Sequence, residues 1–458
     1  MTRHNSETPT GSSTNTKKTA LVNGLILTHP GKSRVEKHKL TVFEDHLLSL
    51  VNSDENKEIE FDEIVDCSGC LIIPGLINSH THSSMSLLRG LADDLPLEKW
   101  LHDYIFPTEA KFVSPDFVHI GAQLSMIEML LSGTTTVADA YFFMEDSARA
   151  AMDVGIRAVI AQGIIDFGTP DCPNPVNWID RVESFLENFP KSPLTTPALF
   201  CHSPYLCSKE MFEKSHKIAH QNNLRLFSHV SETESELNNS LNKHGVSPFV
   251  WLSNAGVLDR NFVAVHCVHI NNDERKLISE SGIQVAHCPR SNMKLSSGIA
   301  QIRRLLDEGI NVGLGTDGPS SNNNLDLMEE MRSAALASKI FESGSQSLSA
   351  GHSLFMATQG GAKVLGMEDL IGSLEEGKLA DVVVIRLDAP HLRPLYSAES
   401  ALVYSARGSD VRDVFVNGRH VVSKGEIKTI DLQSVFANAE EFSDAISKNA
   451  GIQLLKEC

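Results

Sequence analysis

The sequence has no run of about 18 consecutive apolar residues, which is the length that a membrane-spanning helix needs. It is also poor in positive charge: 40 Lys and Arg residues stand against 58 Asp and Glu residues, so the formal net charge of the 458-residue chain is −18. Nucleic acids and anionic lipid surfaces are bound by clusters of cationic side chains. We therefore expect neither nucleic acid nor a membrane as a partner.

The usual marks of secretion are missing too. Residues 1–17 are rich in Ser, Thr and Asn and contain no apolar segment, which predicts a disordered tail and no signal peptide. The eight cysteines are scattered along the chain, as in a cytoplasmic protein with reduced thiols. Cys67 and Cys70 form a CxxC pair, but a single pair is a weak signal for a redox or zinc site, and we interpret it as part of a turn.

Between about residues 74 and 370, apolar segments of strand length alternate with amphipathic stretches of helical character. The eight segments are LIIPGLINSHTH, TTTVADAY, RAVIAQGIID, PALFCHSPYL, LRLFSHVSE, FVAVHCVHI, IQVAHCPRSN and NVGLGTDGPSSN. Apolar strands alternating with helices predict a parallel sheet covered on both faces, and eight units predict a (β/α)8 TIM barrel of the α/β class. A doubly wound open sheet is the alternative, but it would need a GxGxxG turn, which the sequence lacks.

Shorter strand patterns, separated by turn residues, flank this middle region on both sides. They occupy residues 18–73 and 371–425, and we predict that they form one small β-sandwich built from both ends of the chain. The pattern from 426 to 458 is polar and helical, which predicts a C-terminal helical extension. The predicted domains are therefore a tail, a split β-sandwich, a barrel over 74–370 and a helix.

Histidines and one aspartate stand at the ends of the predicted barrel strands. His80 and His82 end the first strand, His229 ends the fifth and Asp317 ends the eighth. Residues two apart on a strand point to the same side, and the carboxyl ends of barrel strands meet at one mouth. We therefore predict one site of three histidines and one carboxylate, a ligand set that suits Zn²⁺ or Fe²⁺.

The phrases HTH after PGLIN, SHVSE, AVHCVH and GLGTDG resemble, in this order, the metal motifs of the amidohydrolase superfamily. The resemblance covers about residues 18–425 and implies both the metal-dependent barrel and the split β-sandwich. Binuclear members carry a bridging lysine near the end of strand four. Here that strand ends in CHSPYL, with Lys191 before it and Lys209 beyond it. We therefore expect one divalent ion per subunit, with Zn²⁺ as the first expectation and Fe²⁺ as the alternative.

Three side chains near the metal residues are predicted to move protons. Glu232 follows His229 by three residues and can act as a general acid and base, although a helix-start glutamate is the alternative. Asp317 can accept a proton from a water molecule at the metal, and His266, at the end of strand six, can hydrogen-bond to the same water. His287, which ends strand seven, is left without a role.

Longer phrases are similar to the 5′-methylthioadenosine/S-adenosylhomocysteine deaminases, namely THSSMSLLRGLADDLPLEKWL, FPTEAK, HSPYLCS, SNMKLSSGIA and GTDGPSSNNNLDLMEEMR. The resemblance implies hydrolytic deamination of an adenosine-type nucleoside to an inosine-type product and ammonia by a homo-oligomer. It also implies that Glu109 holds the ribose hydroxyls, that His202 contacts the nucleoside and that Glu232 faces the purine. A solvated helix start for Glu109 and a hydrogen-bonded turn for His202 are the alternatives.

One departure from the family weakens the case for S-adenosylhomocysteine. Some members carry an arginine at the end of strand three, suited to the homocysteine carboxylate, whereas this chain has Gln162 there and no cation before Arg181. Methylthioadenosine, adenosine and other amino-heterocycles stay open. So do a related enzyme acting on guanine, 8-oxoguanine, a pterin or an s-triazine, and a non-catalytic scaffold of the same fold.

Overall fold

The computed structural model describes residues 17–32, 34–36, 39–52, 60–342 and 347–450. The predicted disordered tail therefore lies outside the described residues except for Lys17, and so do the last eight residues of the predicted C-terminal extension. Among the described helices, none is long and apolar enough to cross a membrane.

The described chain begins with short strands that later belong to two different sheets. They are β1 (Lys18–Val22), β2 (Leu25–His29), β3 (Arg34–Glu36), β4 (Lys39–Glu44), β5 (Leu47–Asn52), β6 (Glu63–Asp66) and β7 (Cys70–Pro74). Strands β5, β4, β1 and β6 form one sheet in that order, with β1 antiparallel to β4 and parallel to β6. Strands β2, β3 and β7 belong to the second sheet.

The next strands form a single parallel sheet in which each strand pairs with its neighbours in sequence. They are β8 (Leu76–Thr81), β9 (Thr134–Tyr141), β10 (Arg157–Ile164), β11 (Thr195–Cys201), β12 (Leu226–Val230), β13 (Phe262–His266), β14 (Gln284–His287) and β15 (Val312–Leu314). Every residue of β8, β9 and β12 to β15 is buried, as expected for parallel strands covered on both faces. Each of the eight strands overlaps one of the eight segments predicted from the sequence.

The first and last strands of this sheet meet through a small set of hydrogen bonds. The Asn78 side chain donates to Thr316 Oγ1 at 2.8 Å and accepts from the Thr316 backbone N–H at 3.1 Å. One residue further on, the Asp317 N–H donates to the carbonyl oxygen of His80 at 3.0 Å. These contacts bring β8 against the end of β15, and the predicted (β/α)8 barrel is confirmed.

The helices surround the barrel or cover its mouth. They are α1 (Leu97–Trp100), α2 (Phe106–Phe112), α3 (Pro115–Leu131), α4 (Met144–Val154), α5 (Trp178–Asn188), α6 (Lys209–Gln221), α7 (Glu234–His244), α8 (Pro248–Asn254), α9 (Asn272–Ser281), α10 (Pro289–Lys294), α11 (Ile302–Asp307), α12 (Pro319–Asn322), α13 (Leu327–Phe341), α14 (Ala350–Phe355), α15 (Gly361–Leu365), α16 (Ala398–Tyr404) and α17 (Leu432–Ala450). Helix α9 shows how local sequence sets the limits, because Asn271 and Glu274 form a capping box at its start and Gly282 ends it in a left-handed conformation.

The last strands complete the second sheet. They are β16 (Val382–Arg386), β17 (Val411–Val416), β18 (Arg419–Ser423) and β19 (Glu426–Ile427). The sheet order is β19-β18-β17-β16-β7-β2-β3, so both ends of the chain contribute to it, and β16 pairs with β7 in antiparallel fashion. Phe43 of the first sheet packs against Phe415 of the second, with ring centroids 5.1 Å apart. The predicted β domain built from both chain ends is confirmed.

Two details of this β domain bear on the sequence predictions. The segment predicted as helical from residue 426 begins with strand β19, because Glu426 and Ile427 still pair with β18, and the helix starts only at Leu432.

Cys67 and Cys70 flank a tight turn, in which the Cys70 N–H donates to the Cys67 carbonyl oxygen at 2.9 Å. Both thiols are free, and burial raises the pKa of the Cys67 thiol to about 12. The exact domain limits stay a prediction.

A buried ion pair connects the barrel to the β domain. Arg157, at the start of β10, donates from Nε and Nη2 to the two carboxylate oxygens of Asp381 at 2.8 and 3.0 Å. The two side chains are only 5% and 3% exposed. Removing one partner of such a pair leaves the other charge buried without compensation.

We expect Arg157→Met to lower the free energy of unfolding by about 3–5 kcal/mol, because the Asp381 carboxylate would stay buried without its cation. Arg149→Met is the matched control, since Arg149 forms an exposed pair with Asp146 that is worth less than about 1 kcal/mol. Denaturant unfolding of both variants is the measurement. Equal effects of the two replacements would contradict the structural role of Arg157.

Candidate active site

The structure brings together the four side chains that the sequence predicted as metal ligands. His80 and His82 lie at the end of β8, His229 lies on β12 and Asp317 follows β15, so the barrel mouth gathers them from three strands. Their ligand atoms all lie within 4.8 Å of one another. His80 Nε2 is 3.2 Å from His229 Nε2, and Asp317 Oδ1 is 3.5 Å from His80 Nε2 and 3.4 Å from His82 Nε2.

Contacts behind these side chains favour the form that binds a metal. His82 Nδ1 donates to the carbonyl oxygen of Ala140 at 2.5 Å, which leaves the lone pair of Nε2 directed at the other ligands. Burial lowers the pKa of His80 to about 4, so its imidazole is neutral. Asp317 Oδ2 accepts hydrogen bonds from the hydroxyls of Ser291 and Ser321 at 2.6 and 2.9 Å. The donor set therefore fits a single divalent cation of the zinc type.

The backbone around this cluster adopts unusual conformations. Ser231, His266 and Asp317 have φ values of 53°, 75° and 61°, which lie in the left-handed region that non-glycine residues rarely occupy. Such conformations persist only where the surrounding packing enforces them, and they gather at functional sites. Each of these residues follows a barrel strand or ends one, so the bends redirect side chains into the mouth.

The predicted proton-transfer groups lie beside the metal cluster. His266 Nε2 is 3.7 Å from Glu232 Oε2, and Ser297 Oγ donates to Glu232 Oε1 at 3.2 Å. Burial raises the pKa of the Glu232 carboxyl, which favours its protonated form. His266 Nδ1 donates to Asn292 Oδ1 at 2.8 Å, so its Nε2 presents a lone pair to the pocket.

Glu236 supports this loop in a way that the sequence did not reveal. Its carboxylate accepts hydrogen bonds from the backbone N–H groups of Ser231 and Glu232, at 2.9 and 2.7 Å. Glu236 stands in the first turn of α7, where a glutamate is ordinarily explained by the helix dipole. Its tertiary role is to hold the backbone that carries Glu232.

Glu109 and His202, which with Glu232 are the predicted substrate-binding residues, also line the mouth. Glu109 lies on α2 and is buried, and the Tyr141 hydroxyl, at the end of β9, donates to Glu109 Oε1 at 2.5 Å. Burial raises the pKa of Glu109 to about 7. His202, just after β11, packs edge-on against His229 with ring centroids 4.8 Å apart. The solvated helix start considered for Glu109 is therefore wrong, because the carboxyl group is buried.

One cavity joins these groups. His82, His229, Asp317, Glu232, His266, Glu109 and His202 all line it. Sequence reasoning did not single out the other lining residues that matter here, namely Trp100, Leu101, Ile105, Phe106, Tyr141, Phe142, Ile165 and Tyr205. Tyr141 could have been found, because it ends the second barrel strand as the predicted ligands end theirs.

Three other polar side chains do not line the cavity. His287 is buried beside a separate small cavity, and its Nδ1 has no hydrogen-bond partner among the described residues. His269 Nε2 is 2.6 Å from the carbonyl oxygen of Ser297, which gives it a structural role. Arg89 pairs with Glu128 and does not line the cavity.

The comparisons with known proteins agree with this geometry. The profile of the Amidohydrolase family matches residues 71–421. The chain belongs to the amidohydrolase family. The 5-methylthioadenosine/S-adenosylhomocysteine deaminase of Thermodesulfovibrio yellowstonii is 43% identical to it over 375 residues, which are 82% of this chain and 85% of that relative. The 5′-deoxyadenosine deaminase of Methanothermobacter thermautotrophicus is 42% identical over 380 residues, or 83% of this chain and 88% of the relative.

A solved structure places this amidohydrolase among zinc-containing relatives. The adenosine deaminase from Xanthomonas campestris, solved with bound zinc, superposes with a TM-score of 0.91 at 33% identity. The match covers 94% of this chain and 99% of that one. The fold is therefore shared over nearly the whole length.

Titration of Glu109 makes a testable contribution to the stability of this amidohydrolase. Burial raises the pKa of Glu109 from 4.5 to about 7, so folding favours its protonated form. This stabilisation is fully present below about pH 4.5 and is lost as the pH rises through about 7, a change worth about 3 kcal/mol. Glu109→Gln cannot titrate, so we expect its stability to rise relative to wild type by about that amount between pH 5 and pH 8.

Thermal unfolding midpoints at both pH values test this expectation. Glu183→Gln on the exposed face of α5 is the control, and its midpoint relative to wild type should hardly change with pH. A parallel pH dependence of wild type and Glu109→Gln would show that Glu109 titrates near its ordinary pKa.

Proposed function

We propose that this amidohydrolase is a metal-dependent aminohydrolase that removes the amino group of an adenosine-type nucleoside and releases ammonia and an inosine-type product. One observation carries the proposal: a single cavity is lined by three of the four metal-cluster residues, by the buried Glu232–His266 pair and by the buried Glu109–Tyr141 pair. The names of the relatives, which are deaminases of 5′-modified adenosines, support it.

The metal expected in this site is one Zn²⁺ ion, with Fe²⁺ as the alternative, held by the imidazoles of His80, His82 and His229 and the carboxylate of Asp317. When bound, such an ion lowers the pKa of a water molecule that it holds from about 15.7 to about 7, which supplies a nucleophile at neutral pH. The zinc in the Xanthomonas campestris structure supports this choice.

The remaining chemistry consists of proton movements by side chains. Glu232, whose pKa burial raises, donates a proton from its carboxyl group to the ring nitrogen beside the amino-bearing carbon and makes that carbon more electrophilic. Asp317 accepts the proton that the attacking water loses, while His266 Nε2 accepts a hydrogen bond from the same water. Asp317 then passes this proton to the amino group, which leaves as ammonia, and the hydroxyl that the water contributed returns a proton to Glu232.

Recognition of the nucleoside is assigned to the other side of the cavity. The Glu109 carboxylate accepts hydrogen bonds from the ribose hydroxyls, and the Tyr141 hydroxyl holds it in position. His202 contacts the nucleoside beside the metal cluster, where its ring packs on His229. Since burial lowers the pKa of His202 to about 3, its imidazole is neutral and can both donate and accept a hydrogen bond.

Ammonia release from a panel of substrates tests the proposal. The panel contains adenosine, 5′-methylthioadenosine, guanine, 8-oxoguanine, a pterin and an s-triazine, each incubated with zinc-loaded protein. We expect turnover of the nucleosides at least about 100-fold above that of the free bases and triazine. Turnover of free bases alone would refute the nucleoside assignment, and a protein that cannot be loaded with metal would favour the scaffold alternative.

Subunit association is a further part of the proposal. The end of helix α13 carries Leu336, Ile340 and Phe341, which are 49%, 81% and 48% exposed and form an apolar surface. A homo-oligomer would cover such a surface, and light scattering of the purified protein measures the mass directly. A cytoplasmic location stays a prediction from the sequence.

A further inference from the structure

The cavity has two chemically different parts. The charged and polar groups lie around the metal cluster and at the Glu109–Tyr141 pair. The second part, which we call the apolar wall, comprises Leu97, Trp100, Leu101, Ile105, Phe106 and Ile165. Neither lysine nor arginine is among the described residues that line the cavity.

The apolar wall adjoins Glu109, the residue proposed to hold the ribose. Phe106 and Ile105 precede Glu109 by three and four residues, which is one helical turn. If Glu109 holds the ribose hydroxyls, as the proposed function states, the next part of the ribose to meet the wall is its 5′ end. The Phe106 ring packs edge-on against that of Phe167, with ring centroids 5.7 Å apart, and Phe167 is itself partly exposed.

Arg181, a largely buried cation beside Gln162, is neutralised and does not line the cavity. Arg181 donates to Glu145 from Nη1 and Nη2 at 2.7 and 2.6 Å and to Asp171 from Nε at 2.9 Å. Gln162 Oε1 accepts a further hydrogen bond from Arg181 Nη2 at 2.9 Å. Two carboxylates thus balance one guanidinium, and these contacts engage four of its five N–H donors, so it offers no uncompensated charge to a ligand carboxylate.

A second cation lies in a neighbouring cleft. That cleft shares Leu101, Phe106 and Tyr205 with the cavity and contains Lys243 and His244. Both of these side chains are exposed, so water screens their charge. A long, charged 5′ substituent that extended past the apolar wall could nevertheless reach Lys243. Replacement of Lys243 therefore tests whether the charged tail binds there.

We propose that the apolar wall selects nucleosides whose 5′ substituent is small and uncharged, namely a methylthio group or hydrogen, over those that carry an amino-acid tail. The inference rests on the proposed function and names the substrate class of the same site. An apolar group gains contact with the wall, whereas a zwitterionic tail would lose its hydration without meeting a counter-charge. Discrimination of this kind comes from leaving polar groups unpaired.

Steady-state kinetics with four nucleosides tests the inference. We expect kcat/KM for 5′-methylthioadenosine and 5′-deoxyadenosine to exceed that for S-adenosylhomocysteine by about 100-fold, with adenosine about tenfold below methylthioadenosine. A ratio above tenfold between methylthioadenosine and S-adenosylhomocysteine supports the inference, and a ratio of tenfold or less overturns it.

Lys243→Met tests the alternative route for the tail. We expect the substrate ratio to change by less than about threefold, as it should in the control Lys276→Met, which replaces an exposed lysine on α9. A larger, selective loss of S-adenosylhomocysteine turnover in Lys243→Met alone would show that Lys243 recognises the tail, and would overturn the inference.

Binding to the Glu232→Gln variant separates failure of the inference from failure of the proposed function. Calorimetric titration with 5′-methylthioadenosine and S-adenosylhomocysteine reads preference without turnover. If the wild type deaminates no nucleoside, the proposed function fails. Binding of methylthioadenosine more than tenfold tighter would still support the apolar wall, whereas equal, reversed or undetectable binding would overturn it.

Discussion

Replacement of His229 by alanine is expected to strip the divalent ion from the protein and to reduce deamination by at least about 10⁴-fold. His229 contributes one of four ligand atoms that lie within 4.8 Å of one another, and its Nε2 is 3.2 Å from that of His80. Three remaining ligands leave an incomplete set. The nucleophile would then have to form from water with a pKa near about 15.7.

Metal analysis of protein purified without chelators, combined with turnover measurements, checks this expectation. His202→Ala is the matched control, because the His202 ring packs edge-on against that of His229 but is not part of the ligand group. We expect it to keep its metal while losing affinity for the nucleoside. Circular dichroism shows whether His229→Ala is folded, and Asp317→Asn provides a second, nearly isosteric removal of a ligand. Stoichiometric metal in both ligand variants would contradict the assigned site.

Replacement of Glu232 by glutamine is expected to leave the metal in place and to reduce kcat by about 10²–10⁴-fold. Glu232 is outside the four-residue metal group, and the amide fills the same space, so the ligands are undisturbed. The amide cannot deliver the proton that the ring nitrogen needs, and general acid catalysis is worth a factor of this size. Burial raises the pKa of Glu232 and so favours the protonated form that this step needs.

The control for this loss is Glu234→Gln, two residues further along the same loop. Glu234 lies in the first turn of α7 and is not buried, so its replacement should change kcat by less than about twofold. Metal content, kcat and KM of the three proteins are measured together. Full activity of Glu232→Gln would mean that another group supplies the proton, and loss of metal would mean that Glu232 helps to hold the ion.

Much of this fold could be predicted because each barrel strand is marked by its own local sequence pattern. A parallel strand that is covered on both faces reads as one apolar run, and eight such runs, each ending near a polar residue, already indicate the barrel and its mouth. The ligands could be named for the same reason. His80 and His82 share a side of one strand, and the strands of His229 and Asp317 end at the same rim.

The supporting contacts could not be predicted, because they join segments that are far apart in sequence or carry an ordinary local signature. Glu236 has the sequence signature of a helix start, and only the folded chain shows its carboxylate beneath the backbone of Glu232. Asn292 gives no sign that it orients His266 from 26 positions away. The sequence shows that Gln162 stands where some family members have an arginine and that Arg181 is the next cation. It does not show that two carboxylates neutralise Arg181.

Local patterning thus indicated the class of fold and the metal cluster, since strand periodicity and strand ends can be recognised in the sequence, whereas the kind of reaction was implied by the resemblance of longer phrases to a known family. The long-range packing of side chains set the rest: which carboxyl groups are buried, which of their pKa values are raised, and where the cavity is apolar. Burial depends on what several distant segments place around a group. The raised pKa of Glu109 and the composition of the apolar wall are therefore properties of the folded chain, in which α1 and α2 cover the mouth of the closed barrel.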